Sequence, residues 1–194
     1  MKHFTAILAM ILVASAQDKP VNPAVLKAKQ EFEAKKAEAA KGDPAAVYEL
    51  GDLHYFGKGT PRNYAEALKA YTQAAEAGYV LAEANLGYLY ERGQGATKDY
   101  KKAMEWYTKA ANKGHAEAQV NLGEMYYSGK GLPKRDFATA WKWYAIAAEL
   151  GHKDAKLFAP RAAALLREPQ VTAEQKAGAE AAVKAWMDEY KKKQ

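Results

Sequence analysis

Between residues 82 and 92 the apolar side chains recur at helical spacing. With Ala82 at the origin of a helical wheel, Leu86, Leu89 and Tyr90 fall on one flank and Ala84, Tyr88 and Glu91 fall opposite. A second run follows in which Tyr100, Ala103, Tyr107, Ala110 and Ala111 share a face while Glu105 and Lys109 point away. The pattern predicts two amphipathic helices. Between them stand Gly93 and Gly95, where a backbone with φ > 0 ends the first helix, and Asp99, whose carboxylate can accept amide hydrogen bonds of the second.

The same arrangement occurs three times. "LGDLHYFGKG" at 50–59, "LGYLYERGQG" at 86–95 and "LGEMYYSGKG" at 122–131 are spaced by 36 residues. Gly42, Gly78, Gly114 and Gly151 open successive units, and Ala46, Ala82, Ala118 and Ala155 follow four residues later. Ala67, Ala103 and Ala140 match, as do Tyr71, Tyr107 and Tyr144, and the predicted caps Asn63, Asp99 and Asp136. The units predicted are 42–77, 78–113 and 114–150, the third longer by one residue in the Leu132 to Asp136 loop. Small residues on the buried faces let helix axes approach closely, and Trp106 and Tyr107 fill what remains.

Both ends depart from the pattern, as terminal repeats do. Residues 17–41 read as a linker and an N-terminal capping helix that starts at Asn22-Pro23 and covers the first unit. Residues 151–194 read as a partial fourth unit, in which Pro160 replaces the glycine and bends or breaks the helix, and a C-terminal capping helix. Thr172 and Gln175 form a capping box for that last helix, Val183, Trp186, Met187 and Tyr190 give it an apolar stripe, and Lys191 to Lys193 suit its C-terminal end.

A unit of about 36 residues reading A-x-x-x-L-G-x-x-Y-x-x-G-x-G and then D-x-x-x-A-x-x-W-Y-x-K-A-A-x-x-G resembles the Sel-one-like repeat, a longer relative of the tetratricopeptide repeat. The second unit matches nearly throughout, and the resemblance runs from residue 42 to about 155. The first unit is the loosest match. His54 stands where the others have Tyr90 and Tyr126, and Ala70 where they have Trp106 and Trp143. The resemblance implies an all-α fold, a right-handed α-α superhelix or solenoid of helix pairs, whose members mostly act as protein-interaction scaffolds, many in bacterial envelopes.

The first residues form a separate element. Met1 to His3 are a short basic start, Phe4 to Val13 an apolar run and Ala14-Ser15-Ala16 a small-x-small pattern, so residues 1–16 are expected to be a signal peptide cleaved after Ala16. Ten apolar residues are too few to span a bilayer, and no membrane span is expected after cleavage. The expected location is periplasmic or secreted. A composition of 49% hydrophobic and 27% charged residues is that of a globular chain. The net charge of +6 is spread along every predicted helix, so nucleic acid is not an expected partner. With Cys 0, neither disulfides nor thiolate chemistry contributes.

The inventory for chemistry is thin. Beyond the signal the sole serine, Ser128, lies in "YYSGKG" without a G-x-S-x-G context, and Gly131 stands where an S-x-x-K motif needs lysine. His115 and His152 are equivalent repeat positions rather than a converging pair, and His54 replaces a core tyrosine. "GKGT" at 57–60 lacks the glycine at 52 and the hydroxyl residue at 59 that a phosphate loop needs. The sequence therefore predicts no catalytic residue, no metal site and no cofactor.

Binding is expected on the concave side, lined by the first helix of each unit. Its non-core residues are Tyr48, Asp52 and Tyr55 in the first unit, Tyr88 and Glu91 in the second, and Glu124 and Tyr127 in the third. Tyrosine supplies rigid amphipathic area and the carboxylates suit a basic or amide-rich peptide. Within "LGYLYERGQG", Tyr88 and Glu91 are the residues that the repeat does not dictate. The function expected is that of an exported, monomeric, non-catalytic scaffold for a protein or peptide. The alternatives are a cell-wall or glycan-binding module, resting on exposed Tyr and Trp, and an envelope hydrolase of the β-lactamase-like type described for some disulfide-stapled relatives.

Overall fold

The computed structural model describes residues 22–153, 166–169 and 171–193, together with 157, 160, 163 and 164. The expected signal peptide and most of the partial fourth unit lie outside the described residues, as does the chain around Pro160, where a bend was expected. The described residues contain eight helices and no strand: α1 (Pro23–Ala39), α2 (Pro44–Phe56), α3 (Tyr64–Glu76), α4 (Val80–Arg92), α5 (Tyr100–Asn112), α6 (Ala116–Ser128), α7 (Phe137–Glu149) and α8 (Ala173–Lys192). Helices α2 to α7 are three antiparallel pairs stacked into an all-α solenoid.

Local chemistry sets the ends of each helix. The side chains of Asn63 and Asp99 each accept two backbone N–H groups of the helix that follows, and Asp136 accepts that of Thr139. Gly93, at φ 69°, caps α4 in the left-handed region and donates its N–H to the Leu89 carbonyl. Gly95 is also left-handed, at φ 77°, but it does a second job. A Cβ there would collide with the Tyr64 carbonyl at the start of α3, so this glycine lets the turn of one unit rest on the backbone of the unit before it.

A further set of glycines joins the two helices inside each unit. Gly51, Gly87 and Gly123 lie in the middle of first helices, and a Cβ on them would meet the rings of Tyr71, Tyr107 and Tyr144 at 2.6, 2.5 and 2.7 Å. The Cδ1 and Cε1 atoms of each ring occupy the gap that the missing side chain leaves. All three tyrosines are buried.

The core is offset from the sequence repeat. Ala82, Leu86 and Leu89 of α4 pack into one cluster with Ala67, Tyr71 and Ala74 of α3, so the first helix of the second unit closes the core of the first. On its other side, α4 sends Ala84 into the next cluster with Tyr107, Leu122 and Trp143. Ala84, expected opposite the core flank, is therefore buried too. A helix inside a stack has two neighbours, and its wheel needs two apolar faces.

Each end of the stack then needs a cover. At the N-terminus α1 takes the place of a preceding second helix: Gly59 rests on the Ala28 backbone, Phe32 meets His54 edge-on at 5.2 Å between ring centroids, and Lys35 pairs with Glu49 at 2.5 Å. Ala70 leaves a crevice of about 290 Å³ beside α1, lined by Ala39, Val47, Leu50 and His54 among others. At the other end α8 packs on α7, beginning beside Ala138 and ending with Tyr190 against Gly114. Thr172 and Gln175 make both bonds of the capping box that starts it. It runs in the direction of α7 rather than against it, so it is a brace over the second and third units and not the next helix of the series.

Candidate functional site

The seven predicted contact residues lie on the first helices α2, α4 and α6. Positions 52, 88 and 124 are equivalent in the repeat, as are 55, 91 and 127. The first and third units carry an acid and then a tyrosine (Asp52 and Tyr55, Glu124 and Tyr127), whereas the second reverses them as Tyr88 and Glu91. In every unit the carboxylate, wherever it stands, accepts a hydrogen bond from the tyrosine of the second helix. Tyr71 donates to Asp52 at 2.5 Å, Tyr107 to Glu91 at 3.2 Å and Tyr144 to Glu124 at 3.1 Å.

Burial, reinforced by the adjacent carboxylate, pushes all three hydroxyls well above the ordinary tyrosine value, so they stay protonated and donate. Burial also raises the Asp52 carboxyl, against the opposing effect of the Tyr71 and Tyr48 hydroxyls. Glu91 is engaged a second time, by the Lys130 ammonium at 3.1 Å from the neighbouring unit. Three of the seven residues thus tie the two helices of a unit together, and Glu91, which serves the Tyr107 hydroxyl, also bridges to the next unit. The sequence reading placed Tyr107 in the core by its ring and overlooked that its hydroxyl needs an acceptor.

The tyrosines divide differently. Tyr48 is half-buried between the first two units, 5.5 Å from the Tyr71 ring and 5.1 Å from that of Tyr79, and burial pushes its hydroxyl up to about 12. Tyr55 is half-buried, whereas Tyr88 and Tyr127 are 36% and 37% exposed. Tyr55 and Tyr88 meet in a cleft of about 180 Å³ lined also by Phe56, Tyr71, Asn85, Leu89 and Glu117. Its walls come from α2, α3, α4 and the first turn of α6, so all three units face it.

Phe56, Asn85 and Glu117 were not among the predicted contacts. The signal for two of them was available: Phe56 stands where the other units have Arg92 and Ser128, and Glu117 where they have Ala45 and Leu81. A position that packing leaves free shows itself by changing class between units.

Among the described residues, no group of three or more His, Cys, Asp or Glu is placed to hold a metal ion, and no helix is long and apolar enough to cross a membrane. A model of the Sel1 repeat matches residues 44–79, 80–115 and 116–152. The chain belongs to the Sel1 repeat family. The matched Sel1 repeats begin two residues after the predicted units, at the helix rather than at the glycine before it.

An uncharacterized Sel1-like repeat-containing protein of Schizosaccharomyces pombe is 47% identical over 38 residues, which is 20% of this chain and 6% of that protein. A Sel1 repeat protein from Oxalobacter formigenes is 32% identical, with a TM-score of 0.67 over 81% of this chain and 64% of the other. A protective antigen present in uropathogenic Escherichia coli strains, displaying the same repeat fold, is 30% identical, with a TM-score of 0.70 over 95% of this chain and 37% of the other. The chain therefore spans less than two thirds of each of these three proteins.

Proposed function

We propose that this Sel1 repeat protein is an exported, non-catalytic scaffold that holds a protein or peptide partner on the face formed by α2, α4 and α6. Family membership supports an interaction role in general, since a stack of helix pairs presents an extended inner surface. The observation that carries the more specific reading is the cleft shared by Tyr55, Phe56, Tyr88 and Glu117. Packing half-buries Tyr48, and tyrosine hydroxyls engage Asp52, Glu91 and Glu124, while Tyr88 and Tyr127 stand exposed on one side of the stack. Export, with a periplasmic or extracellular location, rests on the pattern of the first 16 residues.

The test places a photo-crosslinking amino acid at 88 or 127 on this face, and at Lys101 or Lys134, both exposed elsewhere, as controls. Expected are protein adducts from 88 and 127 that are absent from 101 and 134. Equal crosslinking from all four positions overturns the assignment of the face. Adducts with cell-wall glycan in place of protein turn the reading towards a glycan-binding module. A periplasmic or culture-medium fraction lacking the protein removes the exported location.

A further inference from the structure

We infer that the cleft between the first and second Sel1 repeats is a subsite for one arginine side chain of a basic peptide. This deepens the proposed function and rests on its assignment of the inner face. At about 180 Å³ the cleft is smaller than the roughly 300–1,000 Å³ of a small-molecule pocket, so it suits a single side chain. Its chemistry is aromatic with one acid. Tyr55, Phe56 and Tyr88 bring ring surface, the buried Tyr71 closes the floor, Asn85 brings an amide whose Nδ2 donates to the Tyr48 hydroxyl at 3.5 Å, and Glu117 brings a carboxylate that has no ion pair or hydrogen bond among the described residues.

A carboxylate without an ion pair or hydrogen bond among the described residues separates Glu117 from the other acids named on the face. Asp52, Glu91 and Glu124 are each taken by a tyrosine hydroxyl, and Glu91 by Lys130 as well. Aromatic faces attract cations through the ring quadrupole, more strongly when water is partly excluded. A guanidinium can lie flat on a tyrosine while its edge reaches a carboxylate with two parallel N–H bonds. The protein already uses this contact on itself, because the Arg92 guanidinium carbon lies 5.3 Å from the Tyr88 ring centroid and the Lys58 ammonium 5.3 Å from that of Phe56. Neither Arg92 nor Lys58 lines the cleft.

The probe is a fluorescein-labelled nonapeptide, Gly-Ser-Gly-Ala-Arg-Ala-Gly-Ser-Gly, compared with versions carrying citrulline or lysine in place of arginine. Citrulline keeps the shape and removes the charge. Binding is read by fluorescence anisotropy on the full chain, on Glu117→Gln, on Tyr88→Ala and on Glu105→Gln, which removes the same charge from an exposed site on α5. Expected are saturable binding of the arginine peptide, a loss of about tenfold with citrulline, and a loss of about fivefold or more for E117Q and Y88A with little change for E105Q.

Four results overturn the inference: equal binding of arginine and citrulline peptides, equal binding of arginine and lysine peptides, equal losses in E117Q and E105Q, or no binding by about 5 mM. Unchanged thermal melting of E117Q and Y88A shows that the affinity loss is not unfolding. If crosslinking from positions 88 and 127 persists while these peptide results fail, the binding face stands and the arginine subsite falls. If that crosslinking fails as well, the reading of the face falls with it.

Discussion

The Tyr107 hydroxyl donates to Glu91 at 3.2 Å, from a position that is tyrosine in both neighbouring units. The second unit has exchanged its acid and its tyrosine across one helical turn, and the exchange preserves the bond because residues three apart share a helix face. Glu91→Tyr is expected to leave the buried Tyr107 hydroxyl without its acceptor and to cost about 1–3 kcal/mol. Tyr88→Glu then rebuilds the arrangement of the first and third units. Urea unfolding of the two single variants and the double variant checks this: the double should recover most of the loss. If the two changes simply add, the exchange has nothing to do with Tyr107.

Gly87→Ala tests the ring over the glycine. Alanine is the better helix former by about 1 kcal/mol, but its Cβ would stand 2.5 Å from the Tyr107 ring, which is held from every side. Overpacking costs about 1–3 kcal/mol, so once the helix gain is subtracted the net expectation is a loss of up to about 2 kcal/mol. Gly178→Ala is the counterpart. Nothing lies within 4 Å of a Cβ there, and melting should show a gain of about 0.5–1 kcal/mol. Two glycine-to-alanine changes in helix interiors thus have opposite signs.

These two cases show which parts were legible in the sequence. Gly87 and Tyr107 recur at fixed spacing, and recurrence is enough to place helices and their caps. It does not say why a residue recurs, because helix packing depends on which atoms meet across helices. Ala84 looked solvent-facing on the wheel of one helix and is buried by the next unit. Glu91 looked free because it breaks the repeat, although the break is compensated three residues away. The cleft was hidden for a related reason: Phe56, Asn85 and Glu117 come from three units and different repeat positions, and a periodic pattern does not relate them.

The cap of α6 should make stability depend on pH. The His115 Nδ1 accepts the Ala118 N–H at 3.2 Å, which requires it to be unprotonated. Burial, with His152 adding to it and Glu117 opposing, pushes the imidazole below its ordinary value of 6.5. The unfolded chain then binds the proton more readily than the folded one. Stability is full above the unfolded value and falls as pH drops through it towards the lower folded value. Thermal melting from pH 8 to 5.5 should show a decline that is smaller in His115→Asp, since aspartate caps the equivalent position 43 and an ordinary carboxylic acid has already lost its proton in this range. His54, also lowered mainly by burial, supplies a residual slope in both proteins.

The last prediction concerns a charge that the repeat does not require. Glu83 is buried, its side chain 4% exposed, and its Oε1 meets the Lys113 ammonium at 2.7 Å, while Lys113 is 41% exposed and also donates to the Gly78 carbonyl. The equivalent positions are Val47 and Gln119, both buried, so a neutral side chain fits this place. Removing one partner is therefore unlike removing the other. Lys113→Met strands a carboxylate among apolar groups and should cost about 2–3 kcal/mol, less than a fully buried pair because the lysine side is wet. Glu83→Val leaves a lysine that keeps the Gly78 carbonyl and can turn to water, at a cost below about 1 kcal/mol or with a gain. Chemical denaturation of both variants decides the matter. Equal losses would mean that the pair contributes as a surface ion pair does, through its attraction alone, and that burial of Glu83 carries no penalty of its own.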